Sequence, residues 1–90
     1  MRFLTTNRFE KEYKKMQKQG KDIDKLHAVM DKIINEEKLP ERHRDHALTG
    51  NFKDRRECHI ESDWLLIYKM EKNIETITFE RTGSHADLFE

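Results

Sequence analysis

The chain has 90 residues, 34% of them hydrophobic and 40% charged, with no net charge when histidine is neutral. That length fits one domain over residues 1–90, and the longest apolar run, residues 64–68, falls far short of the roughly 20 residues that cross a bilayer. A lone Cys58 excludes an internal disulfide and no apolar signal-peptide core opens the chain, so a cytoplasmic protein without a membrane partner is expected.

Residues 1–5 predict a short strand anchored by Phe3. A helix follows, with Asn7 and Glu10 at capping-box spacing and Phe9, Tyr13 and Met16 repeating at i, i+4, i+7. Gly20 stops it, and Asp22 caps a second helix with Leu26, Val29, Met30, Ile33 and Ile34 on one face. The short link makes the two helices an antiparallel hairpin, which Pro40 closes.

The period then changes from helical to alternating. Gly50-Asn51 is a hairpin signal between Ala47-Leu48 and Phe52. Strands are expected over 55–60, 64–70 and 74–81, with turns at 61–63 and 71–73. Alternation in the last strand places Ile77, Phe79 and Arg81 on one face. The fold class is therefore α+β: an N-terminal helical hairpin packed on one face of a small, mainly antiparallel sheet. Phe89 reads as a core plug for the last residues or as a stacking platform for a base, and Trp64 reads as core.

The zero net charge conceals segregation. Residues 1–21 carry +5 and residues 42–56 carry +3, balanced by −3 over 22–41 and −5 over 57–90. A basic surface on a neutral protein can hold phosphates; the same lysines can equally form a solvated helix face.

Three histidines, His46, His59 and His85, fall at strand and loop ends of the expected sheet. Imidazole gains and loses protons near neutral pH. RNA carries its own nucleophile, the 2′-hydroxyl, so two imidazoles suffice as base and acid with no metal and no cofactor. Arg81 ends a strand four residues before His85 and offers a fork of donors for phosphate oxygens. Asp63 can orient a histidine or hold it cationic. His27 and His43 read as structural. A zinc site built from the His43/His46 pair with Cys58, His59 and His85 is the competing chemistry, weakened by the single cysteine. Alternation turns Cys58 away from His59, which disfavours a thiol nucleophile.

The segments Asp45-His46-Ala47-Leu48-Thr49-Gly50, then Arg56-Glu57-Cys58-His59 with Asp63-Trp64 and residues 65–68, then Arg81-Thr82-Gly83-Ser84-His85-Ala86-Asp87-Leu88-Phe89 resemble the YafQ branch of the RelE/ParE toxin superfamily. The resemblance covers essentially the whole chain; Ala47 departs from the Pro of many relatives. It implies a RelE-like fold and a toxin of a type II toxin–antitoxin system, an endoribonuclease that cuts messenger RNA in the ribosomal A site by 2′-hydroxyl attack. It further implies His46 as general base, His85 as general acid, Asp63 and His59 in positioning, Arg81 on the transition state and Phe89 on the nucleotide; base and acid can be exchanged. Implied partners are mRNA, the ribosome and its RNA, and a cognate antitoxin of ribbon-helix-helix type, with operator DNA reached only through the antitoxin complex. The alternatives are a ParE-like gyrase poison, whose members lack this histidine set, and a non-catalytic nucleic-acid-binding module.

Overall fold

The computed structural model describes residues 1–50 and 54–89. Strand β1 (Arg2–Thr5) leads into helix α1 (Asn7–Lys18). Thr6 caps α1: it is extended at φ −86°, and its hydroxyl accepts from the Phe9 N–H at 3.0 Å. The cap is thus one residue earlier than Asn7, because the Thr6 hydroxyl sits where the third helical N–H can reach it. Glu10 accepts from the Thr5 hydroxyl at 2.8 Å instead of returning to the cap backbone. The helix ends as Gly20 predicts. Gly20 adopts φ +78°, donating to the Gln17 carbonyl at 3.0 Å while Lys21 donates to Met16 at 3.1 Å. This paired closure needs a left-handed residue, which glycine supplies without steric cost.

Asp22 caps helix α2 (Ile23–Ile34) by accepting from the Asp24 N–H at 3.1 Å. Leu26, Val29, Met30 and Ile33 are buried on its inner face. Tyr13 of α1 stacks on His27 of α2 with ring centroids 5.7 Å apart. A single 3-10 turn (Glu41–His43) follows, and Arg44 takes a left-handed φ of 47° that redirects the chain into the two-residue strand β2 (His46–Ala47).

Strands β3 (Arg55–Glu61), β4 (Trp64–Glu71) and β5 (Thr76–Gly83) form the body of the sheet, and the short helix α3 (His85–Phe89) ends the described chain. Sheet order is β1-β5-β4-β3-β2. All pairings are antiparallel except β1 with β5, which is parallel. The hairpin expected at Gly50-Asn51 reaches into residues 51–53, outside the described residues; the Leu48 N–H donates to the Arg55 carbonyl at 2.8 Å just before it.

The last strand departs from simple alternation. Tyr68 aligns with Phe79, but Ile67 aligns with Arg81, so Glu80 is an extra residue on β5. This bulge moves Arg81 off the Phe79 face, where uninterrupted alternation would put it, and into register with Ile67 on the opposite face. Beyond Thr5, α1 takes over the edge of β5. The Thr6 N–H donates to the Phe79 carbonyl at 3.1 Å, its hydroxyl donates to the Glu80 carbonyl at 2.9 Å, and the Thr82 N–H donates to Glu12 at 3.3 Å. Edge groups that a strand would pair are thus satisfied by a helix start.

Both faces of the sheet are used. The helix side buries Phe9, Met16, Leu26, Val29 and Ile33 against Cys58, Ile60, Trp64, Leu66, Tyr68, Ile77 and Phe79. The Trp64 indole N–H donates to the Thr82 hydroxyl at 2.9 Å, which passes its own hydrogen to the Leu65 carbonyl at 2.8 Å. A smaller cluster on the other side joins Leu65 and Ile67 to Leu88 of α3 and Leu48. Phe3 is half-exposed and meets Phe79 edge-on at 5.9 Å, so it is not the buried anchor expected of β1. No helix among the described residues is long and apolar enough to cross a membrane.

Cys58 is fully buried on the helix side, as alternation requires. Burial, reinforced by the charges of Asp45 and Glu57, pushes its thiol far up, so it stays protonated and unreactive. Iodoacetamide at pH 8 is therefore expected to label Cys58 only after denaturation. Labelling of native protein at the rate of a free thiol would show that the core opens around β3.

Candidate catalytic site

The sheet face opposite the helices gathers the polar side chains. On β3, Glu57 and His59 are two residues apart and so share this face, while Cys58 between them points to the core. Glu57 is paired across β2 with His46 and across β4 with Ile67; His59 is paired with Leu65. Glu57 is only 5% exposed, and its Oε1 lies 3.6 Å from His46 Nε2 and 3.7 Å from His59 Nε2. The His59 ring meets the His85 ring edge-on with centroids 5.7 Å apart, and His85 lies 6.4 Å from Phe89. His46, Glu57, His59, His85 and Phe89 thus form one contiguous series.

His46 and His85 are each aimed by their Nδ1. His46 Nδ1 lies 2.6 Å from the Arg44 carbonyl, which can only accept, so the proton sits on Nδ1 and Nε2 faces the site. The left-handed turn at Arg44 brings that carbonyl back toward His46. His85 Nδ1 lies 2.7 Å from Asp63 Oδ1, and the same oxygen accepts from the His85 backbone N–H at 3.0 Å. Those two donors, the backbone one first, hold the Asp63 carboxyl below its usual range. Asp63 is therefore ionised near neutral pH, fixing the proton of His85 on Nδ1. The tether is complete above about pH 4, the ordinary carboxylate range, and is lost as pH falls through the lowered value of Asp63.

Asp63 pairs with His85 and not with His59, whose charged neighbour is Glu57. His43 is buried, and its Nδ1 lies 2.6 Å from the His59 carbonyl, so it fixes the backbone under the site. With His43 so engaged and Cys58 in the opposite core, the His43/His46/Cys58 zinc set does not assemble. A different trio does come together: Glu57, His59 and His85 offer ligand atoms within 4.8 Å of one another. Phe89 is 44% exposed while Leu88 fills the core, so Phe89 is a surface ring beside His85 and not a plug.

Arg81 lies in the same row as Glu57 and Ile67. Its guanidinium is held by Glu12 of α1, with Nη2 2.8 Å from Oε2. Two site residues were not singled out from the sequence. Glu57 carried a usable signal, its i, i+2 relation to His59 on a strand. Glu12 carried none, since its partner is 69 positions away.

The family model described as "Bacterial toxin of type II toxin-antitoxin system, YafQ" matches residues 1–90. The chain is 42% identical over 85 residues to the mRNA interferase toxin YafQ of Escherichia coli K12, covering 93% of this chain and 90% of that protein. Its structure superposes on the toxin chain of the E. coli DinJ–YafQ complex with a TM-score of 0.92 at 40% identity over 100% of both chains. It is also similar to a metal-bound toxin from Helicobacter pylori, with a TM-score of 0.93 at 37% identity over 99% of both. With a whole-length family match and this imidazole-lined sheet face, the chain belongs to the YafQ family of toxins of type II toxin–antitoxin systems.

Proposed function

We propose that this protein is an endoribonuclease that cuts messenger RNA in the ribosomal A site by attack of the RNA's own 2′-hydroxyl. The observation that carries the reading is the Asp63–His85 pair, which aims one imidazole into a series that ends at His46. His46, with its Nδ1 committed to the Arg44 carbonyl, uses Nε2 to take the 2′-hydroxyl proton. The 2′ oxygen bonds to phosphorus, the bond to the 5′ oxygen breaks, and His85 gives that oxygen a proton. Asp63 supplies a counter-charge to the cationic ring of His85 before that transfer. Arg81 stabilises the crowded phosphate, His59 and Glu57 hold the neighbouring imidazoles, and Phe89 packs on the nucleotide. The products are a 2′,3′-cyclic phosphate and a 5′-hydroxyl.

A cognate antitoxin of ribbon-helix-helix type silences the protein and carries the pair to operator DNA; the related toxin solved with DinJ in a toxin–antitoxin complex supports an antitoxin partner. The basic stretch over residues 1–21 docks ribosomal RNA, and the site of action is the cytoplasm. A cation held by Glu57, His59 and His85 would supply positive charge near the phosphate but would occupy a nitrogen of His85, the proposed acid. The proposed reaction needs no metal.

Purified ribosomes programmed with a short message test all of this together. Cutting is expected in the A-site codon, with full activity in chelator and inhibition by added copper or zinc. One 2′-deoxy nucleotide at the cleaved position should abolish it. Cutting of the deoxy message, or loss of activity in chelator, would overturn the mechanism, and DNA damage without message cleavage in cells would favour the gyrase reading.

A further inference from the structure

We propose that Glu12, on α1 and outside the imidazole series, is a positioning residue for Arg81 and for the segment that carries His85. The inference rests on Arg81 acting as the cation of the cleavage transition state.

Glu12 grips the guanidinium with both oxygens. Arg81 Nε donates to Oε1 at 2.9 Å and Oε2 at 3.1 Å, and Nη2 donates to Oε2 at 2.8 Å. The two side chains are only 12% and 16% exposed, so little water competes. Glu12 Oε1 also accepts from the Thr82 N–H at 3.3 Å, which ties the carboxylate to the β5 backbone on the far side of Arg81. Arg81 Nη2 extends the network to the Asp87 carbonyl of α3 at 3.3 Å. One turn further along α1, Lys15 Nζ reaches Asp87 Oδ1 at 3.2 Å. Residues 12 and 15 of one helix face therefore hold both ends of the stretch 81–87.

That stretch needs holding. The bulge at Glu80 frees β5 from strict alternation exactly one residue before Arg81, and α3 has five residues. A helix that short has no independent stability in water. An unrestrained arginine also samples many rotamers, whereas a donor that is already fixed needs no reorganisation when charge develops. Among the described residues, Arg81 Nη1 has no protein partner, which leaves one edge of the fork for phosphate oxygens once Glu12 holds the other.

Single-turnover cleavage of ribosome-bound message distinguishes positioning from simple stapling of α1 to the sheet. Arg81→Ala, Glu12→Ala, Glu12→Gln and the Glu12→Ala/Arg81→Ala pair would be compared at saturating and sub-saturating ribosomes, alongside thermal unfolding. Arg81→Ala is expected to lower the saturating rate about 10²-fold or more, and Glu12→Ala about tenfold to a hundredfold through misplacement. The double variant should be no slower than Arg81→Ala alone, with half-saturation unchanged throughout. Glu12→Gln, close to isosteric, should fold like the parent and fall between parent and Glu12→Ala. A parental saturating rate in both Glu12 variants, beside a slow Arg81→Ala, would overturn the proposal alone. A faster Glu12→Ala would also overturn it, showing a restraint on Arg81 and not a support. A parental rate in Arg81→Ala would overturn the reading of Arg81 itself and the proposal with it.

Discussion

His85→Ala is expected to cut ribosome-bound message about 10² to 10⁴ times more slowly than the parent chain, the usual worth of one proton-transferring side chain. The fold should survive. The His85 ring lies on the surface, and its backbone N–H, which the substitution keeps, already donates to Asp63 at 3.0 Å. Leu88 remains to pin α3 on Leu65 and Ile67. Single-turnover rates with antitoxin binding as a control make the check. A parental rate would remove His85 from the proton-transfer scheme, whereas a joint loss of rate and antitoxin binding would point to a misfolded segment. Asp63→Asn makes a finer test. Asparagine can turn either an acceptor or a donor toward Nδ1, so the ring loses its fixed tautomer and its counter-charge while the backbone contact persists. An intermediate rate is expected, together with loss of the stability component that in the parent is complete above about pH 4 and fades as pH falls through the lowered value of Asp63.

Trp64→Ala is expected to destabilise the chain by about 3–5 kcal/mol, the usual cost of emptying a large aromatic site. Trp64 is completely buried at the start of β4, and its indole N–H feeds the Thr82 hydroxyl, which in turn feeds the Leu65 carbonyl. Thr82→Val would keep the volume but leave the indole N–H without its acceptor, at about 1–3 kcal/mol. A domain of this size holds roughly 5–13 kcal/mol in all, so the tryptophan variant should lose a large share of its stability. Urea titrations of the two variants and their combination decide the matter. Strict additivity would mean that Thr82 acts independently of the indole.

Local patterns in the sequence carried the helical half and most of the sheet. Phe9 and Met16 on α1, and Leu26, Val29, Met30 and Ile33 on α2, face inward because helical spacing alone decides it. Cap placement slipped by one residue, from Asn7 to Thr6, since two adjacent polar side chains compete and only backbone geometry selects between them. Alternation put Glu57 and His59 on one face, but nothing local said that a buried carboxylate would lie between two imidazoles from different strands. The bulge at Glu80 and the Glu12–Arg81 pair were illegible for a related reason: a shifted register and a contact across 69 positions are properties of the assembled sheet. Of the two readings left open for Phe89, the surface one holds and Leu88 fills the core, because a five-residue helix after Gly83 rotates the final side chains in a way that tail composition does not specify.

The parallel pairing of β1 with β5 has a consequence for biosynthesis. Residues 2–5 find their strand partners only at residues 76–79, with β5 seated between β1 and β4. Such long-range closure is slow compared with local hairpins. As the polypeptide emerges N-terminus first, the first strand waits for residues 76–79 to appear. Until β5 is available, residues 2–5 have no strand to pair with, so the β1 edge of the sheet is the part that local contacts cannot complete.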